Sequence, residues 1–368
     1  MRILVFAGFS KSLIHFRKEL LSEMVVLGNT VIAIGPESGY EDQLKAIGVE
    51  FHQIEFDRLS LNPLSDIQLI VNLVKLMKIV KPDLYFGYTI KPVIYGSIAA
   101  YLSGIKKRYS MVTGLGSVFI EGKEKKKYVK SIVKMLYKVG FGFNDKVFFQ
   151  NTDDIEDMVK MKLIKREKCI QVNGSGVNLD YYSLSELPKN DIFLFIGSLM
   201  RDKGIMQYLK ASEMVKKKYP KAEFWIVGPK DSRISGISDE TLNHYIEKEY
   251  IKYFGETDDV RPFLDKCRYY VLPSYREGTP RSVLEAMATG RPIITTDSPG
   301  CRETVKNGVN GFLVPIKNHV VLVEKMCWMI ENPKEVSRMS KGSYEIVKNK
   351  YDVQGVNRQM LKYLKIIL

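Results

Sequence analysis

The chain has 368 residues, of which 45% are hydrophobic and 27% charged, and 56 Lys and Arg against 42 Asp and Glu give a net charge of +14. This length predicts two domains or one large α/β domain, and the composition is typical of a soluble globular protein. No apolar stretch of about 18 residues suggests a transmembrane helix, so we expect a cytoplasmic protein. The positive charge favours an anionic partner: a phosphorylated substrate, an acidic membrane surface or nucleic acid.

The cysteines and histidines are too scattered to predict a metal site. The four cysteines lie tens of residues apart and form neither a C-x-x-C pair nor a disulfide framework. No two of the four histidines have the i, i+4 spacing that brings two ring nitrogens to one metal ion. We therefore expect no structural metal and no bound cofactor.

Short apolar runs alternate with helical patterns along most of the chain. Runs that are apolar on both faces and separated by helices are typical of a parallel sheet covered on both sides, so the chain predicts a doubly wound α/β fold. Helices are expected at 204–218 and 281–288, and in a tail that breaks at Tyr351-Asp352. The predicted strands are 2–7, 30–34, 83–86, 146–150, 169–172, 192–196, 223–227, 269–272 and 292–296.

A polar, Pro-containing stretch at 178–191 separates two strand-like segments and is the expected linker. It divides the chain into an N-terminal domain, 1–180, and a C-terminal domain, 191–350. The last segment, 351–368, is amphipathic. Ligands of open α/β sheets bind beyond the carboxyl ends of the strands, so a site is expected in a cleft between the two domains.

The stretch YREGTPRSVLEA, residues 275–286, contains two acids with seven residues between them. Thr279 is a good helix N-cap and Pro280 a good first helical residue, which places Glu277 in the preceding loop and Glu285 in the second turn. Two carboxylates so separated need not share a proton and can hold different parts of one ligand. The alternative is a capped surface helix with an incidental acid.

A second candidate is GSLMRDKG, residues 197–204, which places Arg201 and Lys203 between a strand and a helix. Cations beside a helix N-terminus can bind a diphosphate, although an ordinary turn with solvated cations has the same pattern. The dinucleotide fingerprint is incomplete, because Leu179 and Phe119 occupy the third glycine position of the two G-x-G candidates. No P-loop sequence occurs.

The stretch YREGTPRSVLEAMATGRPIITTDSPGCRETVKNGVNGF, residues 275–312, resembles the donor-site signature of the retaining GT-B glycosyltransferases (glycosyltransferase family 4, glycosyl transferases group 1). The E-x7-E pair is the hallmark of this group, whose fold consists of two Rossmann-like domains facing across a cleft. The resemblance implies that the N-terminal domain binds the acceptor and the membrane and that the C-terminal domain binds the donor. It also implies that the last segment, 351–368, is a helix that packs back on the N-terminal domain. Further segments are similar to the subgroup that adds a hexose or N-acetylhexosamine to an undecaprenyl-diphosphate-linked sugar. These are YTIKPVIYGSIAA (88–100), TGLGSVF (113–119), VNGSGVNLDYY (172–182) and RDKGI (201–205).

The resemblance implies a role for each matching residue. Glu277 would hold the transferred sugar, Lys203 would neutralise the diphosphate with help from Arg201, and Glu285 would bind the ribose of a nucleotide-sugar. The family usually has an arginine where this chain has Ser198, so the role of Arg201 depends on whether it replaces that residue. The other implied donor-binding residues are Gly197, Ser198, Gly228, Gly255, Gly278, Thr279 and Arg281, and the implied acceptor-side residues are Gly8, Ser10, Thr113, Gly114 and Gly116.

The implied reaction is transfer of a sugar, expected to come from a UDP-hexose or UDP-N-acetylhexosamine, with retention of anomeric configuration. The acceptor would be a lipid-linked saccharide in the synthesis of a bacterial surface polysaccharide such as a capsule or O-antigen. The leaving diphosphate would help to deprotonate the acceptor hydroxyl. The sequence has no D-x-D triplet, which favours a metal-independent site.

The segment 123–138 predicts a basic amphipathic helix. Lys127, Lys130, Lys134 and Lys138 share one side, and Val129, Ile132, Val133 and Leu136 lie on another. Such a helix suits an anionic membrane surface, and the enzyme would then be peripheral on the inner face of the cytoplasmic membrane. The alternative is a helix whose apolar side packs on its own domain.

Two other functions are compatible with parts of the sequence. A nucleotide-sugar epimerase of the same fold would need acid-base residues where only scattered histidines occur. A basic nucleic-acid-binding protein would suit the net charge, but no known recognition motif is present, so we expect no nucleic-acid partner.

Overall fold

A computed structural model describes residues 1–58, 60, 62–115, 127–231 and 236–368. Its contacts divide the chain into two compact units. The first comprises Met1–Ser175 and Val356–Leu368, and the second comprises Gly176–Gly355.

The first unit is built on a parallel sheet of seven strands in which neighbouring strands are paired along their length. The strands are β1 (Arg2–Ala7), β2 (Thr30–Gly35), β3 (Val49–Gln53), β4 (Leu84–Tyr88), β5 (Lys107–Val112), β6 (Lys146–Phe149) and β7 (Cys169–Gln171). Their order, β3-β2-β1-β4-β5-β6-β7, reverses direction between β1 and β4. Crevices for ligands in such sheets form at this reversal, beyond the carboxyl ends of the strands.

Helices cover both faces of this sheet, as the continuous apolar strands require. They are α1 (Lys11–His15), α2 (Lys18–Val26), α3 (Glu41–Lys45), α4 (Pro63–Val80), α5 (Ser97–Leu102), α6 (Lys127–Gly142) and α7 (Thr152–Lys160), with a π-helical turn at Pro92–Gly96. Helix α4 begins with a common start signal, because the Asn62 side chain accepts a hydrogen bond from the Leu64 N–H at 3.0 Å and Pro63 is the first helical residue.

The second unit has a parallel sheet of six strands. They are β8 (Ile192–Ile196), β9 (Glu223–Val227), β10 (Lys252–Tyr253), β11 (Tyr269–Leu272), β12 (Ile293–Thr296) and β13 (Gly311–Val314). The order β10-β9-β8-β11-β12-β13 repeats the pattern of the first sheet, with its reversal between β8 and β11.

The helices of the second unit follow the same alternation. They are α8 (Ile205–Lys218), α9 (Asp239–Glu247), α10 (Arg261–Lys266), α11 (Arg281–Ala288), α12 (His319–Glu331) and α13 (Pro333–Lys350), with a 3-10 turn at Arg201–Lys203. The last helix, α14 (Val353–Tyr363), follows a break at Tyr351-Asp352, where the sequence predicts one. Met360, Leu361 and Leu364 are buried with β1 and α2 in the core of the first unit.

The doubly wound α/β class is confirmed, and all nine predicted strands are present. The sequence did not reveal β3, β5, β10 and β13. Three of these are edge strands of their sheets, and β10 has only two residues.

The stretch 178–191, predicted as a linker, belongs to the second unit, and the first unit ends at Ser175 rather than at residue 180. The reason is a fully buried arginine. Arg291 donates hydrogen bonds from Nη1 to the Glu186 carbonyl oxygen at 3.0 Å and from Nη2 to Ser185 Oγ, which attaches this stretch to the core. Of the helices in the described ranges, none is both long and apolar enough to cross a membrane.

Candidate active site

The clearest polar cluster of the second unit lies at the reversal of its sheet. Lys203 comes from the turn after β8, and Glu277 from the loop after β11, the neighbouring strand. The Lys203 ammonium lies 2.6 Å from Glu277 Oε1 and 2.8 Å from Oε2, and both side chains are mostly buried. A pair so formed links the two strands at the crevice where α/β proteins bind their ligands.

The loop that carries Glu277 is held on several sides. Ser274 Oγ donates to Glu277 Oε1 at 2.7 Å, and the Glu277 N–H donates to the Pro299 carbonyl oxygen at 3.0 Å. Next to Pro299, Gly300 has a φ of +77°, and a Cβ atom there would lie 2.2 Å from the Gly278 carbonyl oxygen. The backbone of Glu277 and Gly278 is therefore closely packed against Gly300.

Glu285 lies in the second turn of α11, as predicted. The helix cap differs by one residue from the expectation, because Pro280 itself is the N-cap, with an extended ψ of 107°, and Thr279 precedes it. Arg281, one turn before Glu285, donates from Nε to Glu285 Oε1 at 3.0 Å. Its Nη1 donates to the Gly176 carbonyl oxygen at 2.6 Å, which fixes the guanidinium from both sides.

Glu285 is 9% exposed, and its burial raises the pKa of the carboxyl above the ordinary value of 4.5. The positive charge and hydrogen bond of Arg281 oppose this rise, as does a hydrogen bond from Tyr182. Burial also raises the pKa of the Tyr182 hydroxyl, and the neighbouring Glu285 charge raises it further, so Tyr182 stays a neutral donor.

The two acids of the E-x7-E pair are thus held by different partners. Glu277 is bound by Lys203 and Ser274, and Glu285 by Arg281 and Tyr182. Each carboxylate is next to a cation, and the two cations are different residues. This arrangement suits two separate contacts to one ligand better than a pair that shares a proton.

The predicted donor-side glycines lie at the same edge of the sheet. Gly197 follows β8 and donates its N–H to the Val227 carbonyl oxygen at 3.0 Å, while the Gly228 N–H donates to Gly255 at 2.7 Å. Ser198 is half-buried beside Gly197, and Arg201 is exposed in the 3-10 turn. Of the two predicted cations, Lys203 is therefore the one that contacts Glu277.

The acceptor-side residues belong to the first unit. Gly8 and Ser10 follow β1, and Thr113 and Gly114 follow β5, so all four lie beyond carboxyl ends of strands. Ser10 is buried, and it exchanges two hydrogen bonds with Glu37: its N–H donates to Oε2 at 2.6 Å, and its Oγ accepts from the Glu37 N–H at 2.9 Å. Gly116 lies outside the described residues.

The basic helix is present as α6 from Lys127, while residues 123–126 lie outside the described ranges. The expected apolar side is divided in the structure. Val133 packs inward with Tyr137, whereas Ile132 is exposed together with Met135 and Val139. Val133 and Tyr137, which are four residues apart, thus face the core of the first unit. Ile132, Met135 and Val139, at i, i+3 and i+7, form a second apolar row that faces solvent.

In the described parts of the chain, no three His, Cys, Asp or Glu side chains are grouped as a metal site would need. The cysteines are free thiols. Burial, followed by the charge of nearby Glu277, raises the pKa of Cys301 to about 11, so this thiol stays protonated and acts as a small core residue.

Two contributors to the site were not predicted. Tyr182 lies in the stretch that was predicted as a linker. Ser274 lies three residues before Glu277 and is not part of a recognised motif. Tyr182 is in a segment that resembles the family, VNGSGVNLDYY, but only the folded chain brings it to Glu285.

Two parallel-sheet domains of this kind are typical of the GT-B class of glycosyltransferases, and an acid pair at the reversal of the second sheet is typical of its E-x7-E group. Residues 10–151 match the family described as Glycosyl transferase 4-like, and residues 183–346 match Glycosyl transferases group 1. The chain belongs to the glycosyltransferases that combine these two domains. This membership supports sugar transfer and not the epimerase or nucleic-acid alternatives.

Similar proteins from bacteria agree with this membership. The chain is 29% identical, over 98% of both chains, to N,N'-diacetylbacillosaminyl-diphospho-undecaprenol alpha-1,3-N-acetylgalactosaminyltransferase of Campylobacter jejuni. It is 26% identical, over 79% of this chain and 78% of the other, to UDP-Gal:alpha-D-GlcNAc-diphosphoundecaprenol alpha-1,3-galactosyltransferase of Escherichia coli. The fold is similar to that of Anabaena Alr3699/HepE in complex with UDP-glucose, with a TM-score of 0.79 and 16% identity over 100% of both chains.

Proposed function

We propose that this glycosyltransferase moves a hexose or N-acetylhexosamine from a UDP-sugar to a lipid-linked saccharide, with retention of configuration and without a metal ion. The observation that carries the proposal is the pair of acids at the reversal of the second sheet, each next to its own cation. The names of the two relatives, which specify undecaprenol-linked saccharides, support the acceptor class. Such acceptors are used in the synthesis of surface polysaccharides such as capsule or O-antigen.

The proposed donor contacts use the two acids separately. Glu285 accepts hydrogen bonds from the ribose hydroxyls, while Arg281 and Tyr182 hold its carboxylate in place. Glu277 accepts from hydroxyls of the transferred sugar. The N–H groups of Gly278, Thr279 and Arg281 face the sugar and diphosphate, and Gly197, Ser198, Gly228 and Gly255 complete the donor side.

The diphosphate is stabilised by cations of the chain. Lys203 suits this task because its turn follows β8 at the sheet reversal, and its ammonium has three N–H donors, one more than the two that contact Glu277. Arg201, which is exposed, contributes less unless it moves toward the ligand. A fixed positive charge where negative charge develops is the main source of catalysis in such a site.

The proposed chemical step retains configuration at the anomeric carbon. The bond from that carbon to the β-phosphate oxygen breaks, and the acceptor hydroxyl oxygen bonds to the carbon from the same face. The hydroxyl proton passes to a departing phosphate oxygen, and UDP leaves. No side chain needs to act as a base in this step.

The acceptor is proposed to bind to the first unit, near Gly8, Ser10, Thr113, Gly114 and Gly116. Helix α6 and the preceding residues, 123–138, would hold this unit against the anionic inner face of the cytoplasmic membrane. Lysines and exposed apolar residues on α6 support this assignment, since interfacial helices combine the two.

The test is a transfer assay with a panel of UDP-sugars and a short-chain diphosphate-linked saccharide, with products identified by mass and by the anomeric coupling constant. We expect UDP release and a lengthened saccharide with the donor's anomeric configuration, unchanged by a metal chelator. An inverted linkage would contradict retention, and loss of activity with chelator would contradict metal independence. Release of UDP without any acceptor product would contradict the proposed transfer.

A further inference from the structure

Helix α4 of the first unit carries an apolar row that faces solvent. Leu64 is 77% exposed, Ile67 57% and Val71 41%. Their spacing, i, i+3 and i+7, places them on one side of the helix, while Leu69, Leu73 and Met77 pack on the core. Apolar side chains are common singly at protein surfaces, but three in one row form a defined apolar surface.

This row lies on the same side of the sheet as α6. The connections from β3 to β4 and from β5 to β6 cross the sheet in the same direction, so right-handed crossovers place α4 and α6 on one face. A shared core confirms this, since Leu73 of α4 and Val133 of α6 are buried in the same cluster. The π-helical turn and α5 pack between the two helices.

The two helices also have the same direction and the same orientation relative to the ligand edge. Each follows a strand and ends four residues before the next one, so each runs back along the sheet and begins toward the carboxyl ends of the strands. Leu64 and Ile67 are in the first two turns of α4, while Ile132 is in the first half of α6 and Met135 is near its middle. Both apolar rows thus begin toward the edge where the acceptor-side residues lie.

The charges of both helices have one sign. The only acid in either sequence is Asp66, which is buried, 2.5 Å from Lys91 Nζ, and accepts a hydrogen bond from the Tyr95 hydroxyl. Lys75, Lys78 and Lys138 are exposed. An apolar surface bordered by cations, with no exposed acid on either helix, is complementary to an anionic lipid bilayer.

We propose that α4 is a second membrane-contacting helix, and that Leu64, Ile67 and Val71 enter the anionic bilayer together with Ile132, Met135 and Val139 of α6. The inference rests on the proposed function in that α6 is already assigned to the membrane. Two parallel contacts on one face fix the tilt of the first unit on the bilayer, which a single helix does not. This orients the ligand edge of its sheet toward a lipid-linked acceptor.

The test is cosedimentation with vesicles of phosphatidylglycerol and phosphatidylethanolamine, compared with phosphatidylcholine vesicles. The variant carries Leu64→Gln, Ile67→Gln and Val71→Gln together. Its control carries Val26→Gln and Leu27→Gln, an exposed apolar pair at the C-terminal end of α2 on the opposite face of the sheet, one turn after the acid Glu23. The circular dichroism spectrum of each variant verifies the fold.

We expect the α4 variant to bind the anionic vesicles roughly tenfold more weakly than the wild type, and the control to bind as the wild type does. Binding of the wild type should weaken as salt is raised to about 0.5 M, because part of it is electrostatic. Unchanged binding of a well-folded α4 variant would overturn the proposal. So would a wild-type dimer that the α4 variant converts to monomer while vesicle binding stays the same, because the row would then be a dimer contact.

A second variant, Ile132→Gln with Met135→Gln and Val139→Gln, separates this inference from the function on which it rests. Loss of vesicle binding in the α6 variant alone would leave the assignment of α6 intact and refute that of α4. Transfer by the wild type to a short-chain acceptor without vesicles tests the enzymatic proposal independently. Transfer without any vesicle binding would refute both membrane helices but not the enzyme.

Discussion

The Lys203 ammonium contacts both carboxylate oxygens of Glu277, at 2.6 and 2.8 Å, and joins the loops after two adjacent strands of the second sheet. Because Glu277 also accepts a hydrogen bond from Ser274, its orientation is determined before any ligand arrives. The lysine therefore has two proposed tasks, to hold Glu277 and to offer positive charge to a diphosphate.

Lys203→Met should lower kcat by at least about 100-fold, which is typical when one preorganised charge at a reacting group is removed. Glu277→Gln should have a comparable effect. If the two act as a unit, the double variant loses less than the product of the two single effects. Steady-state transfer rates for the four proteins give this comparison.

Arg201→Met is the matched control for Lys203→Met, because Arg201 lies two residues away but is exposed. We expect it to lower kcat by less than about tenfold. A loss equal to that of Lys203→Met would instead show that Arg201 moves in to replace the arginine missing at Ser198.

Gly300→Ala should damage the site through the backbone. A Cβ atom at Gly300 would lie 2.2 Å from the Gly278 carbonyl oxygen and 2.4 Å from that of Glu277, so the loop that holds the acid must shift. We expect at least a tenfold loss of kcat, since displacements of about 1 Å cost that much or more.

Gly308→Ala is the control for this prediction. Gly308 has the same φ, +77°, but nothing lies within 4 Å of the added Cβ. Both variants have the strain of a left-handed alanine, about 1 kcal/mol, which thermal unfolding would measure. Equal activities in the two variants would contradict a role for the close contact between Gly300 and the Glu277 loop.

Tyr182→Phe should weaken donor binding without changing the fold. It removes a hydrogen bond to Glu285, and such a bond to a charged group is worth about 1.5 kcal/mol, so KM for the donor should rise roughly tenfold. Tyr181→Phe is the control, because its ring is stacked against Arg261, 4.0 Å from the guanidinium carbon, and keeps that contact without the hydroxyl. A rise in KM in both variants would mean that the effect is not specific to Glu285.

The fold class followed from the sequence because the strands that carry most of each core are continuous apolar runs. The strands that were missed lack that signal. β3 alternates Glu50 and His52 with apolar residues at a sheet edge, and β5 begins with the cations Lys107 and Arg108. Their pairing with neighbouring strands, rather than their local composition, makes them strands.

The part of the site that lies in one short motif could be predicted from the sequence. Glu277 and Glu285 are in one stretch, and the strand before them and the helix that begins at Arg281 determine their separation. Tyr182 reaches Glu285 from more than 100 residues away in the sequence, and no local pattern encodes such a contact. The sequence likewise did not show which side of α6 faces the core, because the helix has two apolar rows and only one of them is buried.

Glu285→Gln should change the pH dependence of stability. Because burial raises the pKa of Glu285 above 4.5 in the folded state, the folded chain binds its proton more tightly than the unfolded chain does. The stabilisation from this proton is complete below about pH 4.5 and is lost as the pH rises through the folded-state pKa. Glutamine has no titratable proton, so the stability of the variant does not fall with pH for this reason.

We therefore expect the difference in melting temperature, Glu285→Gln minus wild type, to increase as the pH is raised from about 4 to about 7. Thermal unfolding of both proteins across that range measures the difference. Glu303→Gln is the control, since Glu303 is an acid of the same unit that pairs with a different cation, Lys350, at a distance of 3.6 Å. If the difference in melting temperature between variant and wild type stays constant or falls as the pH rises, Arg281 and Tyr182 lower the pKa of Glu285 by more than burial raises it. Glu285 would then be ionised in the folded state because of these two partners.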